Sequence, residues 1–170
     1  MAIFLLACVA RGFCYMSFPS LIIGWQEWVA LPDLDVPAIR AKIDTGARTS
    51  SIHAYKIHEF KKSGKEFVRF EVHPIQGNKT VKRLCELPVV DRRVVRSSGG
   101  ECEERPVVKT NIVLGNELWE IELNLTNRDY MGFRMLLGRQ ALAKKVLINS
   151  GTAYLHGKMS EIQAKNKYLK

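Results

Sequence analysis

Short runs of residues with high β-propensity, separated by turn residues, dominate the sequence from residue 20 to residue 154. Runs of this kind, broken at short intervals by glycine, asparagine and serine, are typical of an all-β barrel or sandwich. The predicted strands are 27–31, 38–43, 51–60, 66–74, 80–87, 89–96, 105–114, 118–125, 134–137 and 146–148. The sequence therefore predicts a mainly β fold made of many short strands.

Two of these runs alternate in a way that identifies their buried face, because side chains two positions apart point to the same side of a strand. The expected inward-facing residues are Val68, Phe70 and Val72 in one run, and Trp119, Ile121, Leu123 and Leu125 in the other. Outside the strands, Gln140-Ala141-Leu142-Ala143-Lys144 is a series of good helix formers. It predicts one short helix that begins near Arg139.

The predicted domain covers residues 20–156, with an N-terminal extension (1–19) and a polar, lysine-rich C-terminal tail (157–170) that we interpret as a frayed helix or a disordered end. The apolar run 2–10 is too short to span a bilayer. No basic residue precedes it, so it makes a poor signal peptide. We favour Met16 as the natural start and the cytoplasm as the location. The periplasm is the alternative if this segment is a signal, and membrane association stays open.

Neither a metal nor a cofactor is expected from the residues. The cysteines, Cys8, Cys14, Cys85 and Cys102, form no Cys-x-x-Cys pair. Cys85 and Cys102 are interpreted as reduced thiols, and a contact between them across a hairpin is the alternative. The sequence contains no His-Glu-x-x-His motif and no phosphate-binding glycine loop. The four histidines are expected to be scattered over the surface, and a site made by Cys85, Cys102 and a histidine is the alternative.

The segment Asp44-Thr45-Gly46 carries the chemistry that the sequence indicates best. Two carboxylates that share one proton can hold a water molecule between them and activate it without a metal. Gly46 allows a tight backbone turn, the Thr45 hydroxyl can tie the loop, and the small Ala47 leaves room beside a substrate. Three residues alone also fit an ordinary turn at the end of a strand. A second motif, the apolar strand and Gly-Arg of 133–139, strengthens the interpretation.

Taken together, Ile43-Asp44-Thr45-Gly46-Ala47 and Leu136-Leu137-Gly138-Arg139 resemble the retropepsin family of single-domain, homodimeric aspartic peptidases. Segments 41–51, 104–107 and 125–139 are similar to a bacterial and archaeal branch that is labelled as ATP-dependent zinc proteases and associated with glutamate ligases. The resemblance covers roughly residues 20–156. It implies a closed acid-protease barrel in which the strand of the second motif lies beside the catalytic loop and the short helix follows.

The same resemblance implies an aspartic endopeptidase in which Asp44 from each of two subunits flanks one water molecule. Because the chain has one Asp-Thr-Gly segment, a symmetric homodimer is expected. The implied catalytic residues are Asp44, Thr45 and Gly46, and the implied substrate-binding residues are Ala47, Arg48, Ser98, Gly99, Arg128 and Arg139. Ser98 and Gly99 lie at the tip of a predicted hairpin, which is either a flap over the substrate or an ordinary flexible hairpin.

One position departs from the viral retropepsins. They have an acidic residue four places after the catalytic aspartate, which pairs with the arginine of the Gly-Arg motif, whereas this chain has Arg48. Arg48 and Arg139 cannot form that ion pair with each other. Asp129 or a glutamate is the expected alternative partner for one of them, and the dimer contacts near the site are expected to differ from those of the viral enzymes.

The expected substrate is an acidic or glutamate-tailed peptide. Arginines surround the motif segments, and guanidinium groups recognise carboxylates by paired hydrogen bonds. Relatives in the resembling branch are associated with ligases that add glutamates to a ribosomal protein. A solvated basic surface and a non-catalytic peptide-binding module are the alternatives. No nucleic-acid partner is expected despite the net charge of +9, because the aromatic residues do not interleave with the basic ones.

Overall fold

The computed structural model describes residues 21–96, 100, 102–127 and 132–169. The strands in these residues are β1 (Leu21–Gly24), β2 (Gln26–Leu31), β3 (Val36–Asp44), β4 (Ser50–Lys62), β5 (Lys65–Val72), β6 (Arg83–Pro88), β7 (Asp91–Arg96), β8 (Cys102–Leu114), β9 (Glu117–Thr126), β10 (Met135–Gly138) and β11 (Val146–Asn149). The helices are α1 (Arg139–Leu142) and α2 (Glu161–Asn166), with a short 3-10 helix at Pro32–Leu34. The predicted mainly β fold class is confirmed, as is the helix after the second motif.

Six of the strands close on themselves in a ring. The order around the ring is β10, β3, β2, β8, β9 and β4, and β4 pairs again with β10. The β10–β3 and β4–β9 pairs are parallel and the others are antiparallel. β5 and β6 extend the sheet beyond β4, and β7 pairs with β8 as a hairpin. β1 and β11 form a separate two-stranded parallel sheet.

Apolar side chains of the ring strands form the core. Ile39, Ile52, Leu123 and Leu137, one from each of β3, β4, β9 and β10, are fully buried. Burial of a side chain of this size contributes about 1.5–3 kcal/mol relative to exposure. The predicted inward faces of the two alternating runs are confirmed, since every residue named for them is buried.

A buried carboxylate fixes the end of the chain to the ring. Glu27 on β2 is fully buried and accepts hydrogen bonds from the backbone N–H groups of Gly24, Leu155 and His156, at 2.7, 2.9 and 3.4 Å. Three backbone donors compensate the cost of removing the carboxylate from water. The segment after β11 is thereby held against the start of β2.

The segment interpreted as a polar tail contains α2. Ser160 and Gln163 form a capping box, in which the Ser160 hydroxyl accepts from the Gln163 N–H and the Gln163 side chain accepts from the Ser160 N–H. Ala164 and Tyr168 are buried, and the Tyr168 hydroxyl donates a hydrogen bond to the Ala38 carbonyl of β3. The polar composition hid this segment's contact with the ring, because so few of its residues are buried.

Two histidines correct the expectation that all four are on the surface. His53 and His73 are buried, and the Tyr55 ring lies between their rings with centroid distances of 4.4 and 4.3 Å. Burial lowers the pKa of His73, which favours its neutral form. Cys85 is a buried free thiol, and its burial raises its pKa to about 11. Cys102 is an exposed free thiol.

Two further observations concern the described part of the chain alone. None of its helices is long and apolar enough to cross a membrane. None of its groups of three or more histidine, cysteine, aspartate and glutamate side chains is placed to hold a metal ion. The N-terminal extension 1–19 lies outside the described residues.

Gly138 allows a backbone contact that a side chain would block. A Cβ atom at this position would lie 2.6 Å from the Thr49 carbonyl carbon and 2.9 Å from the Arg48 oxygen. Both are backbone atoms, so we expect Gly138→Ala to lower the free energy of unfolding by about 1–3 kcal/mol. Urea denaturation measures this change. Gly132→Ala is the control, since its Cβ would meet no atom of the described residues within 4 Å. Equal loss of stability in the two variants would contradict the close approach.

Candidate active site

The carboxylate of Asp44 is held by its own loop, at the point where β3 ends. We call residues 44–49 the Asp44 loop. Oδ1 of Asp44 accepts hydrogen bonds from the N–H groups of Gly46 and Ala47, at 3.1 and 3.2 Å. Among the described residues, none donates a hydrogen bond to Oδ2. Asp44 is half-buried, whereas Thr45 and Gly46 are exposed. One carboxylate oxygen is therefore fixed while the other is available to a further partner.

β10 and α1 hold the Asp44 loop from the other side. Gly138 pairs in register with Asp44, and its N–H group donates to the Ser50 hydroxyl at 3.1 Å. The next two N–H groups, those of Arg139 and Gln140, donate to the carbonyl oxygens of Ala47 and Arg48 at 2.9 and 3.0 Å. The second motif thus binds the backbone of the first along its length, as the sequence predicts.

The Arg139 side chain also contacts the Asp44 loop. Its guanidinium donates to the carbonyl oxygens of Gly46 at 3.0 Å and Thr45 at 3.4 Å. Among the described residues, these acceptors of Arg139 are backbone carbonyls, which need no carboxylate at the position of Arg48. Asp129, the other expected partner, lies outside the described residues.

A cleft of about 480 Å³ lies between the Asp44 loop and β7. It is lined by Gly46, Ala47, Arg48, Thr49, Ser51, Arg93, Val94, Val95, Arg96 and Asn124. β7 and β8 pair from Asp91 with Val107 to Arg96 with Cys102, so the predicted hairpin exists and borders the cleft. Ser98 and Gly99 at its tip, like Arg128, lie outside the described residues, and the flap stays a prediction.

The arginines at the cleft differ in how they are engaged. Arg48 and Arg96 are exposed, and neither forms an ion pair with another described residue. Arg93 donates to Asp91 at 2.8 Å, and this contact is the main reason that the pKa of the Asp91 carboxyl is lowered. Arg105 is buried and donates to Asn124 at 3.3 Å and to Glu103 at 2.8 Å.

Asn124 and Ser51 form the polar floor of the cleft, which sequence analysis missed. The Asn124 amide donates to the Ser50 carbonyl at 2.9 Å, and its oxygen accepts from the Ser51 hydroxyl at 3.0 Å. Asn124 belongs to the polar face of an alternating strand. That pattern was visible in the sequence, but the parallel pairing of β9 with β4 that makes it a site residue was not.

A second depression, of about 560 Å³, borders the other side of the Asp44 loop. Arg48, Arg139, Gln140 and Lys144 form its polar lining, and Leu142, Ala143, Val146 and Ile148 form its apolar lining. We call it the apolar depression. Ile148 is 38% exposed. An exposed apolar surface thus directly adjoins the loop that carries Asp44.

Known proteins are similar to this chain in sequence and in fold. A family model described as "RimB-like: Retropepsin-like aspartic endopeptidase RimB" matches residues 22–159, which include β3, the Asp44 loop and β10. The crystal structure of a Legionella pneumophila protein of unknown function has a TM-score of 0.69 and 32% identity. The match covers 81% of this chain and 99% of that chain.

Curated relatives are longer proteins. Two that are named "Probable alpha-L-glutamate ligase", from Shewanella halifaxensis and Parasynechococcus marenigrum, are 48% and 44% identical over 153 and 149 residues. The matches cover 90% and 88% of this chain but 33% and 32% of the relatives, so the chain spans about a third of their length. The family match over most of the chain confirms the resemblance inferred from the two motifs. The chain belongs to the RimB-like family of retropepsin-like aspartic endopeptidases.

Proposed function

We propose that the protein is an aspartic endopeptidase in which two Asp44 carboxylates, one from each subunit of a homodimer, activate one water molecule. The observation that carries the proposal is the geometry of Asp44. Its Oδ1 accepts from the N–H groups of Gly46 and Ala47, no described residue donates to its Oδ2, and Gly46 and Ala47 of the same loop line the cleft. A carboxylate held in this way is oriented before a substrate arrives, which lowers the entropic cost of reaching the transition state.

In the proposed mechanism, one carboxylate is ionised and the other is protonated. The ionised Asp44 removes a proton from the water molecule as it attacks the peptide carbonyl carbon, and the protonated Asp44 donates to the carbonyl oxygen. The tetrahedral intermediate then breaks its C–N bond, and the leaving nitrogen receives a proton from the carboxyl pair. Arg139 supports these steps by holding the carbonyl groups of Thr45 and Gly46.

The homodimer follows from the need for a second carboxylate. The chain supplies one Asp-Thr-Gly segment, so a two-fold axis must bring a second copy to the Asp44 loop. The exposed Thr45 and Gly46, together with the adjoining apolar depression, support this location for the axis. Apolar residues that are exposed in one subunit would be buried by the other, as is usual for permanent dimers.

Acidic peptides, including glutamate-tailed ones, are the proposed substrates. Arg48 and Arg96 line the cleft, are exposed and have no ion pair among the described residues, so their guanidinium groups are available to carboxylates. The relatives named as glutamate ligases contain a region homologous to this chain, which supports a substrate that carries glutamate. A non-catalytic module that binds the same peptides is the competing function.

Asp44→Asn should abolish peptidase activity, because it removes the carboxylates from both subunits at once. We expect kcat to fall by at least about a hundred-fold, since acid–base catalysis contributes about 10²–10⁴. The measurement is cleavage of a fluorogenic peptide, with sedimentation and circular dichroism to show an unchanged dimer and fold. Asp35→Asn, at the other end of β3, is the control, because its backbone φ of 51° suits asparagine and its side chain is exposed. Full activity of Asp44→Asn would overturn the proposal, whereas peptide binding without any cleavage would favour the competing function.

Ile148→Lys should weaken the dimer, because it places a charge in the apolar depression. We expect the dissociation constant to rise at least about ten-fold, which corresponds to about 1.4 kcal/mol, with a parallel loss of activity at low protein concentration. Analytical ultracentrifugation measures the equilibrium. Leu84→Lys is the matched control, because Leu84 is 69% exposed on β6, outside the ring. A wild-type chain that is monomeric at assay concentrations would contradict the homodimer.

Cleavage should depend on substrate charge. We expect a peptide with a run of glutamates to have a kcat/KM at least about ten-fold above that of the matched glutamine peptide, since a charged hydrogen bond contributes about 1.5–3 kcal/mol. Arg96→Gln should reduce this ratio, and high salt should do so in the wild type. Equal cleavage of the two peptides would remove the support for acidic substrates.

A further inference from the structure

Arg93 connects four elements around the cleft. It lies on β7, and its Nη1 donates to the Thr49 hydroxyl at the end of the Asp44 loop, at 2.7 Å. Its Nη2 donates to Glu122 on β9 at 2.6 Å. The same Glu122 oxygen accepts from the side chain of Gln140 on α1 at 2.9 Å. One guanidinium therefore ties the β7–β8 hairpin to the loop that carries Asp44 and, through Glu122, to the helix beside it.

Protein acceptors use three of the five N–H donors of the Arg93 guanidinium, one on each nitrogen. Nε donates to Asp91, so each of the three guanidinium nitrogens already has a protein acceptor, and the side chain is 19% exposed. Arg48 and Arg96 line the same cleft but are exposed. Arg93 is thereby distinguished from the arginines proposed to bind carboxylates.

The contacts of Arg93 reach Asp44 through a short chain of backbone. Thr49 lies against Gly138, which pairs with Asp44, and the Gln140 N–H holds the Arg48 carbonyl at 3.0 Å. A shift of Thr49 would therefore move the Asp44 loop relative to β10 and α1. Displacement of a catalytic group by about 1 Å can reduce the rate about 10²-fold.

We infer that Arg93 is a positioning residue, which couples strand β7 at the side of the cleft to the orientation of the Asp44 carboxylate. The inference rests on the proposed peptidase function and assigns to Arg93 a role separate from substrate recognition. In the structure, the guanidinium holds Thr49 and Glu122 together, and the Asp44 loop keeps its hydrogen bonds. When Arg93 is lost, the loop and the hairpin move independently.

Arg92 provides a matched control on the same strand. It follows Asp91 directly and, like Arg93, forms ion pairs with two carboxylates, those of Glu59 and Glu66. These partners lie on β4 and β5, whereas the carboxylate that Arg93 contacts beyond its own strand lies on β9. Adjacent residues of a strand point to opposite faces. Arg92→Gln and Arg93→Gln therefore remove the same charge and a similar number of ion pairs, and only the second removes the link to the Asp44 loop.

The test compares Arg93→Gln, Arg93→Lys and Arg92→Gln in the full chain, by steady-state kinetics on a glutamate-containing peptide. We expect Arg93→Gln to lower kcat about ten- to a hundred-fold with KM changed less than about three-fold, because the lost interaction acts on the orientation of Asp44. Arg93→Lys should restore little, since one amine cannot replace three separated donors. Arg92→Gln should leave both constants unchanged. A rise in KM at constant kcat would overturn the inference and indicate that Arg93 binds the substrate. Equal effects of Arg92→Gln and Arg93→Gln would also overturn it, because they would indicate a general loss of stability.

Amide hydrogen exchange tests the role of Arg93 without relying on peptidase activity. The N–H groups of Gly46 and Ala47 are protected by Asp44, so their exchange reports the loop directly without any turnover. We expect faster exchange over residues 44–50 in Arg93→Gln and unchanged exchange in Arg92→Gln. If the wild type proves inactive but this difference is found, the proposed function fails and the coupling stands. If exchange over residues 44–50 is the same in the wild type, Arg93→Gln and Arg92→Gln, the coupling is wrong, whatever the activity.

Discussion

The close approach of Gly138 to the backbone of Thr49 is the contact on which both the ring and the site depend. β10 fits between β3 and β4 and completes the ring, and at Gly138 there is no room for a side chain. The same contact brings the N–H groups of Arg139 and Gln140 to the carbonyl groups of the Asp44 loop. Closure of the ring and the position of the Asp44 carboxylate therefore depend on the same backbone contact.

Most of the strands could be predicted from the sequence, because alternation and turn residues are local signals. β1 was missed because Leu21–Gly24 is short and its partner β11 lies at the other end of the chain. A helix was one of the two alternatives for residues 157–170, but its packing was hidden by a lysine-rich composition in which Ala164 and Tyr168 make the buried contact. The ring could be anticipated only through the family resemblance, since its parallel pairs join strands that are far apart in sequence.

Within the site, Asp44 and Gly138 could be predicted because each belongs to a short motif with a defined backbone geometry. The roles of Thr49, Glu122 and Asn124 could not, because they depend on which strands become neighbours in the ring. The ion pairs of the individual arginines could not be predicted from the sequence either. In sequence they form one basic group, whereas in the structure some are neutralised by protein carboxylates and others are open to solvent. Net charge alone therefore misrepresents what the cleft offers to a ligand.

Tyr168 packs the C-terminal segment against β3, the strand that ends at Asp44. Its hydroxyl is bonded to Ala38 on β3, and the Arg83 guanidinium lies 4.9 Å above its ring. The family match ends at residue 159, before this contact is made. The family model therefore ends short of a segment that packs against β3. A protease nick or a fusion joint placed at residue 159 would remove the Tyr168–Ala38 hydrogen bond and with it a contact to β3, the strand that ends at Asp44.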